Sequence, residues 1–212
     1  MRRVLAGLAM MALAHGADLA AGRFLVASRE LGDPNFAETV VLLVRYGEQD
    51  GAMGLIVNRR SDLPLSRVFQ DLKVAKGNAD PVYMGGPVEP GVVLALLRSA
   101  SPPEEAQLVF GGVYLVSSKA LLEKTLAAKA EPSSFHVYLG YAGWGPGQLE
   151  HEVELGGWQV LPAAPAEVFH ADPDSVWPRL IKRTEQRIAR AAPYSARSVL
   201  IGSTLVARRA GR

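Results

Sequence analysis

The twenty residues from Thr39 to Asn58 read TVVLLVRYGEQDGAMGLIVN. Thr39 to Tyr46 is rich in β-branched and aromatic residues and nearly continuous in apolar character, the pattern of a buried strand. Gly47 to Gly51 turns the chain. Ala52 to Asn58 then returns as a second strand, so the segment predicts a β-hairpin. Gly54, inside the returning strand, predicts a bulge or a place where another part of the chain comes close.

Working outward, Arg23 to Ser28 reads as a short strand, and Glu30 to Phe36, punctuated by Gly32, Asp33-Pro34 and Asn35, as a turn. After the hairpin, Asp62 is placed to cap a short helix with Pro64 in its first turn and Leu65, Val68, Phe69 and Leu72 on one face. Pro81 to Met84 is a small strand running into Gly85-Gly86-Pro87-Val88. Val92 to Leu97 and Gln107 to Leu115 are further strands, and Ser118 caps a helix from Lys119 to Ala128 with Leu121, Leu122 and Leu126 on its apolar side. Phe135 to Tyr141 is another strand. Gly143, Gly145 and Gly147 then imply a tight, irregular path, and Pro146 opens a helix that runs to Leu155 and stops at Gly156-Gly157. Trp158 to Leu161 and Glu167 to His170 read as short strands. Asp174 or Ser175 caps a last helix to about Ala191, with Val176, Trp177, Leu180, Ile181, Thr184 and Ile188 as its apolar stripe. Strands mixed with isolated helices, without a regular βαβ rhythm, define an α+β class.

Charge is distributed unevenly over the 212 residues. The formal net charge is +2, yet residues 4–178 carry 12 basic against 20 acidic side chains, a net of −8. From Arg179 to Arg212 there are nine basic residues and one acid, Glu185. The body is therefore acidic, and only the C-terminal segment attracts phosphate through bulk charge. No cysteine is present, which excludes disulfides, thiolate metal sites and a cysteine nucleophile. At the other end, Met1-Arg2-Arg3 precedes an apolar run from Val4 to Ala14 and small residues up to Ala17, the outline of a secretory signal peptide. Eleven apolar residues fall short of the ~20 needed to span a bilayer as a helix. The expected organisation is a leader at 1–17, one domain at 18–191 and a basic tail at 192–212 that includes an apolar stretch, Val199 to Ala207, of unassigned role. Cleavage of the leader places the protein in the periplasm or another extracytoplasmic space; retention leaves it in the cytoplasm.

The chemistry-bearing residues are sparse. The sequence has no Gly-x-Ser-x-Gly elbow, no Walker-type loop and no Gly-x-Gly-x-x-Gly at a strand-to-helix turn. Gly143-x-Gly145-x-Gly147 before a helix reads either as an anion cradle or as a tight turn, and Pro146 removes one donor the cradle would need. Glu150, His151, Glu152 and Glu154 lack the His-x-x-x-His spacing that gives a metal two ligands from one helix face, so no metal or other cofactor is expected. Glu150 and Glu154 share a face, as solvated helix acids do. Asp33, Asn35 and Asn58 sit at strand ends beside turns, where they either bond their own backbone or line a polar pocket with Gly85 and Gly86. Trp144, Trp158 and Trp177 read as packing residues.

Four blocks in order carry a resemblance: Gly22 to Leu43, Gly51 to Arg59 (with Arg60 where proline is expected), Gly85 to Val88, and Leu139 to Glu150. Together they make the body from about Gly22 to Leu180 resemble the YqgE/AlgH family. The resemblance implies a single α+β domain of bifurcated, coiled β-sheets with several short flanking helices, and no established enzymatic reaction. It implies as candidate ligand or partner surface the turns that bear the blocks: Asp33, Asn35, Asn58, Gly85, Gly86, Trp144, Gln148 and Glu150. Some members are named transcriptional regulators after a link to alginate production. Here no helix-turn-helix pattern supports direct DNA binding, and the acidic body opposes it. The expected role is a non-enzymatic binding or interaction protein with an unidentified protein or small-ligand partner; the alternative is a cytoplasmic transcriptional regulator resting on the basic C-terminal segment. A hydrolase using Glu150 or Asp33 has only the presence of carboxylates behind it.

Overall fold

The hairpin forms, and the rest of the chain is built around it. The computed structural model describes residues 18–191; the predicted leader (1–17) and basic tail (192–212, with Val199–Ala207) lie outside the described residues. The elements are β1 (Arg23–Ala27), β2 (Val40–Gly47), β3 (Gly51–Ile56), β4 (Arg60–Pro64), α1 (Leu65–Val68), β5 (Pro81–Met84), β6 (Val88–Arg98), β7 (Ala106–Phe110) and β8 (Val113–Val116). There follow α2 (Lys119–Ala127), β9 (Phe135–Trp144), α3 (Gln148–Glu154), β10 (Trp158–Pro162), α4 (Pro165–Val168) and α5 (Val176–Ala191), with short 3-10 turns at Lys73–Ala75 and Pro173–Ser175.

β2 and β3 pair antiparallel through Leu42 with Leu55 and Tyr46 with Ala52, and a bulge shifts the register between Leu43 and Arg45. Gly54 lies where a side chain would overlap the Val41 side chain from β2, the close approach its position predicts. β1 joins the other edge of β2, and β10 joins β1. Phe24 to Ala27 and Val40 to Val44 are all buried, on both faces of the sheet. Leu149 of α3 and Trp177, Leu180 and Ile181 of α5 pack into the same core as these strands. The wing β6–β8–β7 curls back until Phe110 meets Gly22 and Arg45 bonds Gln107. A strand covered twice has no polar face, hence the unbroken apolar run. The result is a mostly antiparallel, curled ten-stranded sheet with short flanking helices in one α+β domain.

The sheet forks at β9. One edge of β9 pairs with β6. Its opposite edge is shared: Ala142 to Trp144 pair with β3, while Tyr138 and Leu139 pair in parallel with Tyr83 and Met84 of β5. Gly85 holds the crotch, its carbonyl accepting from Ile56 N and its N–H donating to Leu139 O. A side chain there would overlap the Gly140 carbonyl oxygen. Alternate residues of β5 and β9 then face two different cores. Tyr83 and Tyr138 look into the main one, and Val82, Phe135 and Val137 into a smaller one under α1 and α2.

Several sequence expectations need correction. Arg60 to Pro64 is a strand pairing with β5, not the start of a helix capped by Asp62; Ser61 Oγ donates to Val82 O, and Pro64, in extended conformation, precedes α1. Val92 to Leu97 is the end of a longer strand, Val88–Arg98. Gln107 to Leu115 is two strands, because Gly111 and Gly112, at φ +47° and +77°, turn the chain between β7 and β8. Glu167 to His170 is not a strand: Pro165, set for a first helical turn, opens α4. Pro146 precedes α3, which begins at Gln148 after Gly147 in the left-handed region. Neither Asp174 nor Ser175 caps α5 through its side chain; the 3-10 turn Pro173–Ser175 leads into it, and Ser175 Oγ donates to Asp172 O. On α5 the predicted stripe is buried except Ile188, which is exposed.

His136, on β9, faces the main core with its ring stacked on Tyr83 at 4.3 Å between centroids and tilted against Phe169. Its Nδ1 has no partner at hydrogen-bond geometry, although the carbonyls of Pro132 and Val168 lie near the ring. Burial lowers its pKa to about 4. The unfolded chain, near the ordinary 6.5, therefore binds a proton the folded protein refuses, so stability is whole above that value and falls as pH drops toward 4. The loss is about 3 kcal/mol. Urea unfolding of His136→Phe against the natural chain should show a shallower pH dependence over that window.

Candidate functional site

The turn before β2 and the turn before α3 meet at an aromatic contact. Phe36 stacks on Trp144 with centroids 5.9 Å apart, and Trp158 presents an edge to Phe36 at 5.5 Å and to Trp144 at 6.0 Å. Trp144 ends β9 and Trp158 begins β10, so the two strands that flank α3 hold the indoles, while the distant Asp33 to Phe36 turn supplies the third ring. Phe36 N donates to Asp33 O, and Asn35 N donates to Asp33 Oδ1, the local bond a short acid makes in a turn.

Glu152, on α3, organises the cluster. Its Oε2 accepts from both indoles, Trp144 Nε1 at 3.0 Å and Trp158 Nε1 at 2.8 Å, and its Oε1 accepts from Gln148 Nε2 at 2.9 Å. Gln148 Oε1 in turn accepts from Gly145 N. That bond consumes an N–H the anion-cradle reading requires, and Gly143 pairs with Met53 inside β9 rather than turning. The exposed loop Gly145 to Gln148 is thus pinned at both ends. One turn away, Glu150 accepts from Tyr46 OH at 2.7 Å; that bond, then burial and the carboxylate's charge, push the tyrosine pKa up to about 12.

The structure therefore brings Asp33, Asn35, Trp144 and Gln148 into one region, with Glu150 of α3 at its edge, bonded to Tyr46 of β2. Asn58 ties the same turn to the sheet: Oδ1 accepts from Val40 N at 2.7 Å and Nδ2 donates to Glu38 O. Arg59 continues the tie by donating to Asn35 O. Asn58→Ala should cost about 2 kcal/mol in chemical denaturation, because the Val40 N–H loses its acceptor at a fully buried residue. Gly85 and Gly86 are not brought to this surface. They are buried and form the fork. Glu152 escaped sequence reasoning because it reads as one acid among four polar helix residues; the two tryptophans flanking the helix, eight and six positions away, were the signal. Among the described residues no three His, Asp or Glu side chains converge as a metal site, and no helix is long and apolar enough to cross a membrane.

A single α+β domain with a forked, curled sheet and a pinned aromatic-backed loop is the class of protein defined by these elements. The chain belongs to the AlgH-like family, whose signature matches residues 24–189. It is 35% identical over 179 residues to a UPF0301 protein of Streptomyces avermitilis, covering 82% of this chain and 91% of the relative. It is 40% identical over 153 residues to one from Burkholderia vietnamiensis, covering 69% and 79%. The solution structure of AlgH from Pseudomonas aeruginosa is similar at TM-score 0.61 and 33% identity, over 91% of this chain and 95% of that one. A crystal structure of a Corynebacterium diphtheriae protein is similar at TM-score 0.66 and 25% identity, over 78% and 87%.

Proposed function

We propose that this chain is a non-enzymatic binding protein that presents Asp33 to Asn35 and Gly145 to Gln148 to a protein partner. The observation that supports the reading is the state of Glu152: its oxygens are committed to two indoles and an amide, so it fixes a loop instead of moving a proton. Exposed turns held rigid by a core network lose little freedom on docking. A photo-crosslinking residue at Asn35, in the native cell, should yield a discrete adduct that the same residue at exposed Ser133 does not. Equal labelling at both positions, or none at Asn35, would overturn the reading.

The positive Met1–Arg3 start and the apolar run to Ala14 support an exported chain, and with it an envelope partner. Intact-mass analysis of the fractionated protein tests this: a mature chain that begins past Ala14 agrees, and a cytoplasmic chain retaining residue 1 does not. The second reading, a transcriptional regulator, draws on the exposed Lys182, Arg183 and Arg187 of α5. It requires the cytoplasmic chain together with duplex binding that weakens steeply with salt.

A further inference from the structure

Beyond that surface, we infer that the segment Ser66–Gly77 forms a binding site for a small phosphate-bearing molecule. The segment spans the end of α1 and the following 3-10 turn, and it lines an open surface cleft of about 460 Å³ walled by Ser66, Arg67, Gln70, Asp71, Lys73 and Lys76. A cleft of this size lies within the range of small-molecule sites, about 300–1,000 Å³.

Its charge sets it apart from its surroundings. Arg67, Lys73 and Lys76 stand against Asp71 alone, a net of +2 within a body whose residues 4–178 carry −8. Among the described residues none of the three cations makes an ion pair. Lys73 opens the 3-10 turn and Lys76 closes it, its N–H donating to Lys73 O, and both line the cleft. Arg67 comes from the last turn of α1, whose carbonyl is held by Gln70 Nε2.

Three like charges facing one concavity repel one another unless an anion joins them. A guanidinium supplies paired donors for two oxygens of a phosphate, and two ammonium groups neutralise the remainder. The Ser66 hydroxyl adds a neutral donor, and half-buried Phe69 and Leu72 offer an apolar wall to the body of the ligand. A phosphate ester with an apolar or planar body therefore fits better than a bare ion. The site lies by the smaller core, with the 3-10 turn packed against α2, whereas the Phe36–Trp144 surface belongs to the main core, so each can fail without the other.

The test is an amide NMR titration of the full-length, isotope-labelled protein at low salt, with inorganic pyrophosphate and with AMP. The expected result is saturable shifts confined to the amides of Ser66–Gly77 with both probes, the shifts at Phe69 and Leu72 being larger with AMP than with pyrophosphate. Arg67→Gln and Lys73→Gln should each weaken binding about tenfold. The same variants should hold or raise the melting temperature of the ligand-free protein at low salt, since each removes a repulsion. Shifts centred on Lys182, Arg183 and Arg187, no saturation with either probe, or unchanged binding in both variants would overturn the assignment.

Discussion

Gly140→Ala is expected to destroy cooperative folding. The residue sits at φ +66°, and a methyl group there would stand 2.6 Å from Gly86 O and 2.8 Å from Val88 O. Both are backbone atoms fixed by the fork, so no flexible side chain can yield. Left-handed strain accounts for about 1–2 kcal/mol of the expected loss. The remainder is a backbone collision between β9 and the segment joining β5 to β6, which puts the total beyond about 4 kcal/mol, a large part of the ~5–15 kcal/mol that stabilises a typical domain. Gly156→Ala separates the two contributions: its φ is +80°, but a methyl group there meets nothing within 4 Å. Urea unfolding should show a modest midpoint shift for Gly156→Ala and no native baseline for Gly140→Ala. Similar midpoints for the two would mean that the strands at the fork can separate.

The second large effect is expected at Glu152. Glu152→Ala leaves the N–H groups of Trp144 and Trp158 without acceptors, and these side chains are only 6% and 2% exposed. Hydrogen bonds to a charged group contribute about 1.5–3 kcal/mol each and are not independent when they share one oxygen, so the combined loss is about 3 kcal/mol or more. Glu152→Gln keeps one acceptor oxygen but turns an amide donor toward the cluster, and its effect should be intermediate. Tryptophan fluorescence should report the loosened indoles, and hydrogen exchange should quicken in the Asp33 to Thr39 turn, which leans on them through Phe36. An unchanged melting temperature in Glu152→Ala would remove the carboxylate from the scaffold and reopen a chemical role for it.

Why Glu152 stayed hidden while the hairpin did not follows from the range of the interactions. Val40 to Val44 and Leu55 to Val57 announce themselves because burial on two faces demands an unbroken apolar run, which is visible residue by residue. Glu152 has the composition of a solvated acid, and its partners come from the end of β9 and the start of β10, which the fold brings to either side of α3. Asp62 likewise has a capping residue's chemistry, but the pairing of β4 with β5 overrides it. The Gly111-Gly112 turn and the Pro165 helix start carry signals that the single strand read over Gln107–Leu115 and the strand read over Glu167–His170 passed over, since a glycine pair between apolar runs marks a hairpin and proline favours a first helical turn. For the candidate surface, the turns at Asp33, Asn35 and Gln148 were readable from their polar residues and glycines. That Gly85 and Gly86 belong to a buried fork was not, because the contacts that crowd them come from Gly140 and Tyr141, more than fifty residues later.

That fork also dictates when the domain can be made. β3 ends at residue 56 and β5 at residue 84, yet the strand that joins them does not begin until Phe135. A chain emerging from the ribosome can pair β1 with β2 at once, but it holds the β3 edge of its most apolar hairpin without its native partner until some eighty further residues have been added. Native contacts this far apart in sequence slow folding, and the unpaired edge of β3 is the surface most exposed to wrong pairing in the interval. The period of vulnerability for this protein is its synthesis, and a binder of extended apolar segments is the factor its yield should depend on.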